Sequence, residues 1–162
     1  MNEDILAILA TQALPGQPEA TYVALERLTH RLVGHKLFTL LYVDGDEVAR
    51  VYSSRPDEYP VAGRKPMAKT PWGDLVMTGQ KPYLGADKAG IRWAFFDHAL
   101  IESMGLGSVI NIPVLYDGAC IGTMNILDAE HHYKASDIDL LLPLAPLLIP
   151  AFLTARHSAG LA

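Results

Sequence analysis

The stretch from Gly107 to Asp128 predicts a β-hairpin, and it constrains the fold more than any other part of the sequence. Two runs rich in β-branched and apolar residues flank Asp117-Gly118, a dipeptide that favours a tight turn. The length of the loop sets the register, because a slip of one residue moves the side chains of one strand to the opposite face. The polarity of the two faces therefore indicates which loop is present.

We favour a three-residue loop with a glycine bulge, since this register separates polar from apolar side chains. It places Asn111, Thr123 and Asn125 together on one face, which we expect to form the floor of a pocket. A two-residue loop would separate Asn111 from Asn125. The other face should hold helices, and it carries Ser108, Ile110, Ile112, Val114, Cys120, Gly122, Met124 and Ile126.

Periodicity and turn signals predict the elements around the hairpin. In chain order these are helices at 4–14 and 18–33, strands at 36–43 and 48–54, a helix at 70–79, a strand at 81–84, a helix at 97–104, the hairpin, and a last helix from Ser136. The last helix is apolar on nearly all sides, so it should be buried on more than one face and kinked near Pro143. We divide the chain into an N-terminal helix and linker (1–17), one domain (18–153) and a frayed C-terminal tail (154–162).

Composition and charge exclude several classes of protein. The net charge of -5 argues against general nucleic-acid binding, which needs a basic surface. The single cysteine, Cys120, excludes a disulfide framework and a cysteine-based zinc site, and it fits a reducing cytoplasm. The acidic N-terminus is unlike a signal peptide, and no apolar run reaches the roughly 18–20 residues that a membrane span needs. We therefore expect a cytoplasmic protein that binds neither nucleic acid nor membrane.

The segment between the predicted second strand and the hairpin is unusually aromatic and basic. Of the 13 aromatic residues, seven lie between Tyr52 and Phe96, and seven of the 13 Lys and Arg residues lie between Arg55 and Arg92. Long irregular segments of this kind are often binding loops, and aromatic residues commonly line small-molecule pockets. An arginine such as Arg92 can clamp a carboxylate or phosphate. Alternatively, the aromatic residues form a local core and the charged residues are solvated.

Several motifs along the chain resemble those of the GAF domain family. They include Ser108-Val-Ile-Asn-Ile-Pro-Val, Asp117-Gly118 and Ile121-Gly-Thr-Met-Asn-Ile-Leu, followed by Tyr133 and Ser136-Asp-Ile-Asp139. Further motifs, such as Thr70-Pro-Trp-Gly73 and Ile91-Arg-Trp93, are similar to those of small stand-alone bacterial GAF proteins. The resemblance implies an α+β fold with α/β/α layers, as in GAF and PAS domains. A central antiparallel sheet of about five to six strands would carry the N- and C-terminal helices on one face, and the pocket segment with its short helices on the other.

The resemblance also implies a function, which is sensing or regulation through a bound small molecule. We expect a polar or anionic metabolite in an aromatic-lined pocket, and a homodimer formed through the first and last helices. The alternative is a dimerisation or protein-interaction module with a collapsed pocket and no ligand. The residues that we expect to bind the ligand are Tyr52, Arg64, Trp72, Arg92, Trp93, Phe96, Asp97, Asn111, Thr123 and Asn125.

Particular functions of the family find little support in the residues. The Asn-Lys-Phe-Asp-Glu set of the cyclic-nucleotide type is missing, and Cys120 lies in a strand rather than at the site of covalent bilin attachment. A free-methionine sulfoxide reductase would need a second cysteine to resolve the oxidised thiol. The histidines, including the adjacent pair His131 and His132, do not show the spacing of metal ligands. We therefore predict no metal, no covalent bilin and no catalytic residue, and the identity of any other cofactor stays open.

Overall fold

The computed structural model describes residues 1–160 and contains one antiparallel sheet of six strands. The strands are β1 (Leu37–Asp44), β2 (Glu47–Ser53), β3 (Ala62–Pro66), β4 (Tyr83–Gly85), β5 (Ser108–Tyr116) and β6 (Ala119–Asp128). Their order across the sheet is β3-β2-β1-β6-β5-β4, so both strands of the hairpin lie in its interior. The predicted antiparallel sheet is confirmed.

Helices cover both faces of this sheet. They are α1 (Asn2–Thr11), α2 (Glu19–Val33), α3 (Pro71–Gly73), α4 (Lys88–Ala94), α5 (His98–Ser103), α6 (Ala135–Leu141) and α7 (Ile149–Gly160). A π-helical turn, Asp74–Thr78, continues α3, and a 3-10 segment, Leu142–Leu148, joins α6 to α7. The terminal helices lie on one face, with α1 packed on α2 and on the 3-10 segment, while α3, α4 and α5 lie on the other. This layering is the predicted one.

The last helix changes geometry where its prolines occur. The regular α-helix gives way to the 3-10 segment at Leu142, so the kink or break expected near Pro143 is a break in the α-helical geometry. Proline causes it because it removes a backbone donor and clashes with the preceding turn. Helix α7 continues to Gly160, so the first part of the predicted tail, from Thr154, is helical. Leu161 and Ala162 lie outside the described residues.

The loop of the central hairpin has two residues, so the predicted three-residue loop is wrong. Tyr116 pairs with Ala119 across Asp117 and Gly118, whose φ values of 53° and 74° suit a type I′ turn. The expected register is nevertheless present, because the pairing shifts by one residue between Val114 and Leu115. This bulge leaves one extra residue in β6 and sets Asn111 directly opposite Asn125.

The bulge also decides the positions of Cys120 and Ile121. Leu115 pairs with Cys120 and Val114 pairs with Gly122, so Ile121 is the extra residue. Cys120 was expected on the helix-facing side, but it is half-buried against the cluster on the opposite face, whereas Ile121 joins the core under the helices. Burial raises the pKa of the Cys120 thiol, so this cysteine is a small apolar group there rather than a nucleophile.

The main core lies between the sheet and the terminal helices. The most deeply buried members include Tyr22, Leu25, Phe38, Leu40, Ile110, Ile112, Met124, Leu141, Leu144, Leu148 and Phe152. Helix α7 approaches the sheet so closely that a Cβ atom at Gly122 would collide with the Phe152 ring and with the carbonyl oxygen of Leu41. A residue larger than glycine would therefore push α7 away from the sheet.

One helical stretch of the described chain, from Ala135 to Ala159, is long and apolar enough to cross a membrane, and an 18-residue window within it has a mean hydropathy of 1.9. The same composition is expected of a core helix in a globular domain. Leu141, Leu144, Leu148 and Phe152 from this stretch are fully buried in the core beneath the helices. We interpret the stretch as a core element of the domain.

Candidate ligand-binding site

A cavity of about 460 Å³ lies between the sheet and the segment that connects β2 to β5. Its volume falls within the range of roughly 300–1,000 Å³ that is common for ligand pockets. Apolar side chains from both layers form most of its wall, namely Leu41, Val48, Met67, Trp72, Met77, Ala94, Phe95, Ile101 and Leu127. The face of the sheet that was predicted to form the pocket floor therefore borders a cavity.

The floor of the cavity is a group of four buried polar side chains on three adjacent strands: Thr39, Asn111, Thr123 and Asn125. Trp72 Nε1 donates to Asn111 Oδ1 at 3.0 Å, and Asn111 Nδ2 donates to Asn125 Oδ1 at 2.7 Å. Asn125 Nδ2 in turn donates to Thr39 Oγ1 at 3.2 Å. Because the indole N–H can only donate, it fixes the orientation of both amides in this chain of hydrogen bonds.

Thr123 differs from the other floor residues in its hydrogen bonding. Its side chain is fully buried and lines the cavity, yet Oγ1 has no protein partner. In residues 1–160, only Tyr22 Oη shares this property among buried side-chain polar atoms. A buried hydroxyl without a partner costs roughly 1–3 kcal/mol. The Thr123 hydroxyl is thus an unsatisfied hydrogen-bonding group in the buried floor of the cavity.

Tyr59 contacts both Arg50 and Asp97 at one side of the rim, where the cavity wall becomes more exposed. The guanidinium carbon of Arg50 lies 3.8 Å from the centre of the Tyr59 ring, and Arg50 also donates to the carbonyl oxygen of Pro60 at 2.8 Å. The Tyr59 hydroxyl donates to Asp97 Oδ2 at 2.8 Å. Burial, with a further contribution from Asp97, raises the pKa of Tyr59 well above its usual value, so the hydroxyl stays protonated.

Lys65 and Phe96 form the outer part of the rim. Phe96 is 87% exposed, and Lys65 Nζ lies 5.6 Å from the centre of its ring. Within residues 1–160, neither Arg50 nor Lys65 forms a salt bridge, whereas the guanidinium groups of Arg64 and Arg92 both pair with carboxylates. The cavity rim therefore presents two cations that are not neutralised by direct ion pairs, beside the carboxylate of Asp97.

The structure brings six of the ten predicted site residues to the cavity: Trp72, Phe96, Asp97, Asn111, Thr123 and Asn125. Tyr52 lies on the opposite, helix-facing side of the sheet, where its hydroxyl donates to Glu26 Oε2 at 2.6 Å. The pairing of β1 with β2 shifts between Leu40 and Leu41, and this irregularity reverses the alternation of β2 after Arg50. The placement of Tyr52 at the pocket was therefore wrong.

The other three predicted residues point away from the cavity. Arg64 binds Asp44 at 3.1 Å and Glu47 at 2.9 Å, next to the β1–β2 turn. Arg92 pairs with Glu102 at 2.8 Å on the outer surface.

The geometry of α4 explains why its two predicted site residues face outward. Ile91 and Ala94 are the buried residues of this helix, so Arg92 and Trp93 occupy its outer side. Trp93 is 48% exposed and stacks on Tyr83 at a centroid distance of 5.1 Å. The expected anion clamp by Arg92 is thus not present.

The lining residues that were not predicted include four that are central to the floor and rim: Thr39, Arg50, Tyr59 and Lys65. A signal for Thr39 was present, because it interrupts an apolar strand and would face Asn125 once β1 is paired with β6. Arg50 could have been placed by alternation with Val48, two residues earlier on the same strand. The positions of Tyr59 and Lys65 depend on how the loop after β2 folds back, which no local pattern indicates.

Comparisons with known proteins agree with this architecture. A protein-family model described as "GAF domain" matches residues 19–151. The GAF domain of a phosphoenolpyruvate-protein phosphotransferase from Coxiella burnetii is 20% identical, with a TM-score of 0.75 over 98% of this chain and 96% of that one. The GAF domain of the Acinetobacter phosphoenolpyruvate-protein phosphotransferase is 11% identical, with a TM-score of 0.70 over 96% and 93%.

A third similar structure is the GAF domain of a two-component sensor histidine kinase from Bacillus halodurans. It is 11% identical, with a TM-score of 0.65 over 91% of this chain and 99% of that one. At such identities the likeness shows the fold alone. No curated protein matches the chain in sequence.

Proposed function

The chain belongs to the GAF domain family, a family of sensory and regulatory domains, and we propose that it regulates by binding a small polar or anionic metabolite. The observation that carries this proposal is the polar floor of an otherwise apolar cavity. Burying polar groups costs free energy unless they are hydrogen-bonded, so a face that served packing alone would carry apolar residues. Here the floor has four polar side chains, and the Thr123 hydroxyl has no protein partner.

The rim supports a ligand with negative charge. Arg50 and Lys65 line the cavity without a direct carboxylate partner in residues 1–160, and the only acid in its wall is Asp97. Arg50 is half-buried, so its charge interacts with a ligand anion with less screening than a charge on the open surface. The expected anion partner is thus Arg50 with Lys65, in place of Arg92.

A thermal-shift screen of metabolites against matched leucine variants tests the proposal. A ligand at 100 times its dissociation constant adds about 2.7 kcal/mol to the free energy of unfolding. Ala94→Leu extends a side chain into the cavity and should abolish the shift, whereas Ala99→Leu makes the same change at an exposed position of α5 and should preserve it. No stabilising compound for the wild type, or equal shifts in both variants, would contradict ligand binding in this cavity.

We also propose that the domain forms a homodimer through its first and last helices. The specific observation is the exposed apolar surface of α1, where Leu6 is 64% exposed and Leu9 is 47% exposed, together with Leu142 at 42% in the adjacent 3-10 segment. A contiguous apolar patch on a regulatory domain is typical of a protein interface. Dimerisation in this proposal accompanies ligand binding and does not replace it.

We place this module in the reducing cytoplasm, with no enzymatic activity of its own and with neither nucleic acid nor membrane as a partner. Cys120 is the single cysteine, and burial raises the pKa of its thiol, which disfavours a nucleophilic or redox role. The acidic net charge of -5 disfavours binding to polyanions. These features support a role in regulation rather than in catalysis.

A further inference from the structure

We infer the chemical class of the ligand and the direction in which it lies, an inference that rests on the proposed function. The ligand places an uncharged hydrogen-bond acceptor, such as a carbonyl oxygen, on the Thr123 hydroxyl at the cavity floor. A planar apolar body fills the middle of the cavity, and a carboxylate or similar small anion lies at the rim near Arg50 and Lys65. Thr123 is the residue that determines specificity at the inner end.

The unused hydrogen-bond donors of the floor indicate that the ligand group bound there is an acceptor. The Thr123 hydroxyl is unpartnered, and the Thr39 hydroxyl accepts from Asn125 while keeping its own hydrogen. Asn111 Nδ2 uses one hydrogen for Asn125 Oδ1 and has a second. The floor therefore has unused donor hydrogens on Thr123, Thr39 and Asn111, and a ligand acceptor is a complementary partner for them.

The inner end of the ligand must be neutral because the floor has no charged residue. The floor residues are at most 8% exposed, and a buried charge is stable only with a charged or strongly hydrogen-bonding partner. The charged residues of the cavity wall, Arg50, Lys65 and Asp97, belong to its more exposed part. With two cations and one acid there, the rim is positive and suits the anionic end.

The middle of the cavity favours a flat, apolar group. The Trp72 and Phe95 rings line the wall with their centroids 5.7 Å apart, and Met77 and Leu41 line the same space. Trp72 cannot turn freely, because its indole N–H is held by Asn111. Aromatic rings stack in offset or tilted arrangements, so an aromatic ring of the ligand fits this part of the wall.

Two benzoates that differ only at the inner end test the inference: 4-acetylbenzoate has a carbonyl acceptor, and 4-isopropenylbenzoate has a planar C=CH2 group in its place. Isothermal titration of the wild type should show that the acetyl compound binds about three- to tenfold more tightly, the usual effect of one neutral hydrogen bond. Thr123→Val should remove this preference, and Thr123→Ser, which keeps the hydroxyl, should retain it. The Ser variant thereby separates loss of the hydroxyl from a general disturbance of the cavity.

Three further controls address the rim and the specificity of the Thr123 effect. A third compound, 4-methylacetophenone, lacks the carboxylate. It should bind more weakly than 4-acetylbenzoate to the wild type, and this difference should shrink in Arg50→Gln, where Lys65 is the remaining cation of the rim. Arg92→Gln changes an arginine outside the cavity and should behave as the wild type. Thr29→Val removes a buried hydroxyl on the other face of the sheet and should leave the preference for the acetyl compound unchanged.

The outcomes separate this inference from the proposed function. Equal binding of both benzoates to the wild type, or a preference for the acetyl compound that survives in Thr123→Val, overturns the role of Thr123. If neither benzoate binds while a metabolite of another class stabilises the wild type but not Ala94→Leu, the inferred class is wrong and the proposed function stands. If no compound of any class binds, both fail.

Discussion

Asn111 lies directly opposite Asn125 in the central hairpin, and its Nδ2 donates to the Oδ1 of Asn125 at 2.7 Å. This bond is the middle link of a chain that begins at Trp72 in the layer above the sheet and ends at Thr39 in β1. It connects the wall of the cavity to the floor, so the Trp72 ring and the floor amides hold one another in place. A site that is ordered before the ligand arrives loses less entropy on binding.

The hydrogen bonds of Asn111 should contribute to the free energy of unfolding. Asn111→Ala leaves the Trp72 indole N–H and the Asn125 carbonyl oxygen without their present partners, and we expect a loss of about 2 kcal/mol in the free energy of unfolding. Urea denaturation followed by circular dichroism measures this loss. Asn2→Ala, at an exposed position of α1, should change stability by less than about 0.5 kcal/mol. Similar effects of the two substitutions would contradict a structural role for the floor network.

Valine at position 123 should stabilise the free protein. Thr123→Val keeps the shape of the side chain and removes a buried hydroxyl without a partner, so we expect a gain of up to about 1 kcal/mol. The same change at Thr29 should cost about 1 kcal/mol, because the Thr29 hydroxyl donates to the Leu25 carbonyl at 2.8 Å. Chemical denaturation without ligand compares the two variants. A destabilised Thr123→Val would show that its hydroxyl is satisfied.

Much of the cavity floor could be predicted from strand alternation, and the wrong predictions for Cys120 and Tyr52 in the sheet arise from two bulges. The polar face of the hairpin was identified because Asn111, Thr123 and Asn125 share a side once the register is set. The bulge at Ile121 allowed that register to coexist with a two-residue loop, and it moved Cys120 to the opposite face. A second irregularity in the β1–β2 pairing placed Tyr52 under the helices. The irregularity in the β1–β2 pairing has no adjacent glycine or proline that would have predicted it.

The rim could be predicted less well than the floor because it depends on tertiary folding. Arg92 and Trp93 belong to a short helix whose buried side is set by Ile91 and Ala94, and a helix of that length has too few turns to show a clear periodicity. Tyr59 and Lys65 reach the cavity only because the loop after β2 folds back over the sheet. Local sequence patterns do not indicate that a loop folds back over a sheet in this way.

His35 should make the stability of the domain depend on pH. Its side chain is 8% exposed, and burial lowers the pKa of the imidazole below the usual value of about 6.5. The unfolded chain therefore binds a proton at a pH where the folded chain does not. The contribution to stability is complete above the unfolded pKa, and it is lost as the pH falls from about 6.5 toward the lower pKa of the folded state.

The variant His35→Gln isolates this effect. The slope of the unfolding free energy against pH is at most about 1.4 kcal/mol per pH unit for one proton, and His35→Gln should reduce the slope between about pH 6.5 and pH 5. Above pH 7.5 the wild type and the variant should show parallel profiles, which serves as the internal control. Urea denaturation across this range measures both. Parallel profiles at low pH as well would assign the acid sensitivity to other groups.

If the domain dimerises through α1, charged side chains on the exposed apolar side of this helix should prevent dimerisation. Leu6→Glu combined with Leu9→Glu places two charges on the exposed apolar side of the helix, while Ile8 keeps its place in the core. Light scattering after size exclusion should show that a wild-type dimer becomes a monomer. Leu100→Glu, at a 43% exposed position of α5, should remain dimeric. A monomeric wild type, or a dimer that persists in the double variant, would contradict an interface at α1.

Asp44 connects α7 to β3, the strand that contains the cavity-lining residues Lys65 and Pro66. Its two carboxylate oxygens accept from Arg156 of α7 at 2.9 Å and from Arg64 of β3 at 3.1 Å. The hydrogen bond from Arg64, with the nearby Arg156, lowers the pKa of Asp44 below its usual value. The contribution of Asp44 to stability is therefore present above the unfolded pKa of about 3.9 and is lost as the pH falls through the folded pKa.

We expect Asp44→Asn to reduce the free energy of unfolding by about 0.5 to 1 kcal/mol at neutral pH, since the side chains are partly exposed and solvent screens the pair. The loss should shrink in 1 M salt, where the Debye length falls to about 3 Å. Asp57→Asn, which removes a charge from an exposed loop, should have little effect at either salt concentration.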